Sequence, residues 1–305
     1  MFALLWMAIF VDSAFTAEGY KGFSYAYAGF LGIISYLWWR TGVHDASHRP
    51  LSTPYVVSSV GATIAFLVAP QTSLETAQLL WFGAAGFMLL LPLFINRFRE
   101  AADREHVEQS LRIRHPLVER FGLLTIIILG ENLISIVGGA VYRNDFSSSY
   151  VLVISASIAI VFLLWWIYFD LISERLPIQK ILHRNVWLYL HLLLTMSIGL
   201  VAVGLLNAIE YVKTPEAIDS WFIVGPAAAF LGVIIGLMHT IQKQKAHIPI
   251  YTTAARAALV AIVGLLLVGY LELSVLNTVL LSATLLSLPV VFAFMVWIKR
   301  NHKEA

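Results

Sequence analysis

The sequence contains no cysteine in 305 residues. That absence excludes a disulfide scaffold, a thiolate metal centre, a thiol nucleophile and a redox switch together. Charge is nearly as scarce: Asp, Glu, Lys and Arg make up 12% of the chain, about half of the roughly 25% usual in a soluble domain. Because the net charge is only +2, a pI near 8.8 does not indicate a nucleic-acid binder. Also missing are the phosphate-cradling GxxxxGK(S/T), the nucleophile-elbow GxSxG and the dinucleotide GxGxxG, which removes the common nucleotide-driven pumps, serine hydrolases and dinucleotide enzymes. What is present is 59% hydrophobic with a mean hydropathy of +0.81. This composition excludes a disordered chain and describes a protein whose solvent is the bilayer.

A membrane helix needs about 20 mostly apolar residues at about 1.5 Å of rise each. Ten segments meet or approach that length: 1–17, 22–39, 54–69, 76–95, 117–141, 150–171, 186–209, 220–239, 254–271 and 275–298. The first has no positively charged leader and carries Asp12, so it reads as a retained span rather than a signal peptide. The expected fold is all-α, a polytopic transmembrane bundle of about ten spans. It forms a single membrane domain over 1–298, with a short tail at 299–305. Residues 96–116 read as a solvated helix between the fourth and fifth spans, since Glu100 with Arg104 and Glu108 with Arg112 are acid-then-base pairs one turn apart.

Lys and Arg fall on alternate connections. Arg40 and Arg49, Arg97 through Arg114, Arg175 to Arg184, Lys243 to Arg256 and the tail cations share one side, whereas Lys21, Arg143 and Lys213 lie on the other. The positive-inside rule then predicts both termini in the cytoplasm, in a cell inner membrane.

The few ionisable groups within spans are the candidate functional residues, because a charge at the bilayer centre costs at least about 2.5 kcal/mol and must face protein or water. Glu131 lies about 21 Å along the fifth segment, in the outer half of a core about 30 Å thick. Arg120 precedes it by about three turns, on the same face as Ile127, Ser135 and Gly138. This stripe, with the adjoining Asn132, is expected to face a cavity or a partner helix. Gly122, Gly130, Gly138 and Gly139 on the same segment suggest close helix approach. Asp12 is placed at a similar depth, where two carboxylates share a proton, hold a cation, or are capped by hydroxyls as packing groups. His191, about one turn inside the seventh segment, is within possible reach of Asp170 at the end of the sixth. His44 and His48 have a zinc-compatible spacing, but they sit in a loop between Gly42 and Pro50 with no Glu in the metalloprotease position, and no metal or cofactor is expected.

At the fifth segment the residues form a recognisable string: His115, then Glu119-Arg120-Phe121-Gly122, then an apolar run closed by Gly130-Glu131. It resembles the signature of the bacterial low-temperature-requirement A family. The aromatic run Trp165 to Asp170 and the stretch His191 to Gly204 are similar to the family's next two helices. The resemblance implies a multipass inner-membrane protein associated with growth in the cold. It also implies two hydrophobic segments upstream of those seen here, so the chain is expected to begin at the counterpart of the third.

Two readings follow. The first is a secondary transporter or an ion- or proton-coupled permease. In it Glu131 carries the ion, Asn132 and Ser135 coordinate, and Asp12 partners Glu131. Arg120 attracts an anionic group or pairs with Asp170, and His191 relays protons. The second is a non-transporting scaffold or cold-adaptation factor whose polar residues lock helices together. No nucleophile or metal set suggests an enzyme, and the expected partners are the lipid bilayer and a small ion or proton.

Overall fold

A computed structural model describes residues 16, 18–97, 112–143, 147–211, 219–243 and 247–304. Helices account for nearly all of this backbone, as expected where no water is available to satisfy peptide groups. They are α1 (Tyr20–His44), α2 (Arg49–Val68), α3 (Leu74–Arg97), α4 (His115–Arg143), α5 (Ser148–Leu171), α6 (Ile181–Glu210), α7 (Trp221–Thr240), α8 (Ile248–Tyr270) and α9 (Val275–Glu304). By length and composition, 8 of them are apolar enough to cross a membrane. The ninth, α1, corresponds to the second predicted span; its Tyr, Gly and Trp residues dilute its hydropathy below that of the rest. The first predicted span, Asp12 included, and the charged pairs of the connector at 98–111 lie outside the described residues.

The chain divides into two compact units, Met1–Arg112 and Ile113–Ala305, where the sequence reads as one membrane domain through residue 298. In the first unit, α2 packs against α1 and α3. Small residues, Ala28, Ala62, Ala69 and Ala77, let the helices approach, and an aromatic stack fills the remaining space. Phe66 and Trp81 lie 5.9 Å apart and nearly parallel, while Tyr27 stacks on Phe66 at 4.6 Å. The Trp81 indole N–H donates to Ser24 Oγ at 3.1 Å, and the Tyr20 hydroxyl donates to the Thr72 carbonyl at 2.6 Å. Both amphipathic rings therefore bury their apolar bodies with the polar tip satisfied.

The second unit is a ring of six helices in the spatial order α4, α6, α7, α8, α9, α5, closing back on α4. Of these, α7 is the most enclosed, with Val224, Phe230, Leu231, Ile234 and Leu237 fully buried. Its neighbour α6 approaches closely at Gly204, where an added methyl would run into the backbone carbonyl of Phe222. At the end of the ring that carries His115, the α5–α6 loop is stitched to the α7–α8 loop by a short antiparallel bridge between Pro177 and Ile241. Ile178 N donates to Thr240 O at 2.7 Å, Gln242 N donates to Leu176 O at 2.8 Å, and the Gln179 side-chain amide reaches Ile113 O at 3.1 Å. These bonds hold Glu174 in the left-handed region, with φ 64°. A non-glycine residue kept there stores about 1–3 kcal/mol of strain, a feature that clusters at functional sites.

Candidate functional site

The inward face of α4 runs Val118, Gly122, Thr125, Leu129, Asn132, Ile136, a three-and-four spacing that keeps one stripe buried against α5 and α6. Thr125 and Asn132 are its polar members, 1% and 2% exposed. The Asn132 amide donates to the Ile198 carbonyl of α6 at 3.0 Å. Thr125 donates to the Phe121 carbonyl at 2.9 Å and lies beside the Tyr168 hydroxyl of α5.

His191 completes this interior cluster. It is 1% exposed, sits over the Trp187 ring at 4.0 Å, and contacts Phe121 at 4.8 Å. Its Nδ1 donates to the Trp187 carbonyl at 2.8 Å, because a carbonyl can only accept. That fixes the tautomer and leaves Nε2 as an acceptor, to which the Tyr168 hydroxyl donates at 3.5 Å. Thr125, Tyr168 and His191 thus form a polar line crossing α4, α5 and α6.

Within this unit Glu131 and Asn132 lie on different faces of α4. Asn132 is buried, but Glu131 and Arg120 are exposed and share an outward face with Ile127 and Ile134, while Ser135 is half-buried. Successive helical residues are separated by about 100°, so burying Asn132 turns Glu131 out of the interior of its own unit. Among the described residues Glu131 has no hydrogen bond or ion pair. Asp170 and His191 do not meet either. Tyr168 and Asp170, two positions apart on α5, point in different directions, and the inward one is Tyr168. The glycines divide similarly: Gly139 lies against Leu206 of α6, whereas Gly130 and Gly138 border open space.

Three cavities lie at the His115 end of the ring. One, of about 410 Å³, lies between α4 and α5, with Glu119, Glu174, His115 and Ser173 on its walls. It extends to Ile126 and Phe169, next in sequence to Thr125 and Tyr168. Its two carboxylates against one imidazole make it a cation-favouring recess. The second, of about 320 Å³, is lined by Arg175, Lys243, His115, His247, Tyr251 and Glu174, among others. The third, of about 450 Å³, shares Arg175, His247 and Tyr251 with the second and adds Asp170 and the aromatic walls Trp166, Phe294 and Trp297. Burial holds the Lys243 ammonium below the ordinary lysine range, since desolvation disfavours its charged form. Among the described residues no group of three or more His, Asp or Glu is arranged to hold a metal ion.

Sequence reasoning missed Thr125, Tyr168, Glu174, Arg175, Lys243, His247 and Tyr251 as site residues. Arg175 and Lys243 entered it only as topology markers. Their sole distinguishing signal is an acid–base pair, Glu174-Arg175, in a loop too short to be a free linker.

The searches of curated proteins and of solved structures found no match. The family model described as bacterial low temperature requirement A protein (LtrA) matches residues 1–293. With that match spanning almost the whole chain and eight helices apolar enough to span a bilayer, this multipass integral membrane protein belongs to the bacterial low-temperature-requirement A family.

Proposed function

We propose that this chain is a secondary transporter, an ion- or proton-coupled permease of the inner membrane, with the His115 end of its second unit facing the cytoplasm. The charge bias supports the orientation, since Arg114, Arg175, Lys180, Lys243, Lys299 and Arg300 all belong to that end. The observation that carries the reading is the acid-lined cavity between α4 and α5, which stops beside the buried line Thr125, Tyr168 and His191. A cation or proton enters past Glu119 and Glu174. His191 Nε2, hydrogen-bonded by Tyr168, is the acceptor that can take up a proton and pass it on. Asn132 continues the polar face further along α4. Glu131, with Ser135 beside it, is the ion carrier of the outer half, Asp12 and Arg120 keep the roles the sequence suggests, and Asp170 belongs to the neighbouring cavity. No enzymatic step and no cofactor enter this reading.

A specific contact favours the second reading, a non-transporting scaffold: the Asn132–Ile198 bond is the kind of interhelical link that locks a bundle. The two separate in one experiment. The full chain is purified into liposomes containing a pH-sensitive dye, and a pH or ion gradient is imposed. The permease predicts flux above that of empty liposomes, lost in His191→Phe, which keeps the ring packing and removes the proton acceptor. Absence of flux from folded wild-type protein would reject transport and leave the scaffold.

A further inference from the structure

Arg175 and Lys243 are two cations on one ring. The Arg175 guanidinium carbon lies 6.0 Å and the Lys243 ammonium 5.3 Å from the centre of the Tyr251 ring, which is itself 4% exposed. Neither cation makes a salt bridge with any described residue. Arg175 donates one bond to the Asp170 carbonyl at 3.3 Å, and its Nε is buried with no hydrogen-bond partner among the described residues. A buried guanidinium N–H left without an acceptor is costly. Both side chains line the 320 Å³ cavity, where His115 and His247 add imidazoles and Glu174 is the single acid.

This cavity adjoins the 450 Å³ one through Arg175, His247 and Tyr251. The adjoining walls are mostly apolar and aromatic, Trp166, Ile250, Phe294 and Trp297, with Asp170 as the one acid. Trp166, Phe294 and Trp297 are each about half exposed on the outside of the bundle, in the belt position where Trp marks the bilayer interface. A basic recess opening onto an aromatic one at a membrane interface matches an amphiphile with an anionic head.

We infer that the joined cavities bind a phosphate group, that of an anionic phospholipid, with the phosphate between Arg175 and Lys243 and the glycerol and first acyl carbons against Trp166, Phe294 and Trp297. The inference stands apart from the permease reading, which uses the acid-lined cavity on the other side of Glu174.

The test is native mass spectrometry and thermal melting of the full chain in detergent, titrated separately with phosphatidylglycerol, phosphatidylcholine, glycerol 3-phosphate and inorganic phosphate. Phosphatidylglycerol is expected to be retained and to raise the melting temperature, with phosphatidylcholine doing neither. Lys243→Ala and Arg175→Ala are each expected to weaken phosphatidylglycerol binding about fivefold, the effect of one interfacial cation. Arg40→Ala, which removes a charge from the first unit, leaves it unchanged. Trp297→Ala weakens the lipid but not glycerol 3-phosphate. If Arg175→Ala fails to fold, Lys243→Ala, whose side chain is only half-buried, decides. Equal binding of the two lipids, or wild-type lipid binding by folded Lys243→Ala, overturns the site. Stabilisation by inorganic phosphate or glycerol 3-phosphate equal to that by phosphatidylglycerol overturns the lipid and assigns a soluble phosphate instead.

Discussion

The Asn132 amide and the Ile198 carbonyl, 3.0 Å apart, tie α4 to α6 through a bond buried within the second unit. The Ile198 oxygen lies within a helix and uses its second lone pair, so the bond adds to the helical ladder rather than replacing part of it. Asn132→Leu keeps the volume approximately and removes the donor. It is expected to lower stability by about 0.6 kcal/mol, at most about 1.7, the range of such bonds in membrane bundles. Unfolding of the purified protein in a denaturing detergent titration measures it.

Glu131, the next residue back, makes no polar contact with any described residue and sits on the outward face of α4. Glu131→Gln is therefore expected to leave the melting temperature within about 1 °C of wild type, as for a substitution away from packed features. Under the permease reading it abolishes gradient-driven flux in liposomes. A clear loss of stability in Glu131→Gln, in a protein whose wild type shows no flux, would favour the scaffold.

Glycine content misleads unless the neighbours are known. Gly204→Ala drives a methyl into the Phe222 backbone, which has no rotamer through which to yield. A cost of about 1–3 kcal/mol is expected from overpacking. Gly130→Ala meets nothing within 4 Å, and it is expected to be neutral or to stabilise by up to about 1 kcal/mol through helix propensity. Paired melting curves of the two variants check both signs.

The depressed pKa of Lys243 has a sign that can be measured. Its charged form is disfavoured in the folded state, so it lowers stability wherever it is protonated, which includes neutral pH. The penalty fades as pH rises from the folded value to the ordinary lysine value of about 10.4. Lys243→Met is expected to melt slightly higher than wild type at pH 7, with the difference gone near pH 11. A constant difference across that range would show that Lys243 acts by packing rather than by charge. Saturation with phosphatidylglycerol should reverse the neutral-pH difference, because a bound anion compensates the ammonium.

Much of the architecture follows from the sequence by itself. Long apolar runs admit only helices in a bilayer, because each must satisfy its own peptide groups. Lys and Arg cluster on every second connection of the predicted spans, which sets the orientation the sequence predicts. The string from His115 to Glu131 carries the family, and His191 stands out as the histidine within the apolar seventh segment; the fold buries it. What sequence could not decide is which side of a helix faces its neighbours. The segment holding Glu131 and Asn132 is apolar all round, so periodicity carries no phase, and only packing against α5 and α6 turned Asn132 inward and Glu131 out. Tyr168 rather than Asp170 meets His191 for the same reason. Arg175 and Lys243 lie 68 positions apart, and no local signal joins them. The loop bridge at Pro177 and Ile241 and the ring of Tyr251 bring them together.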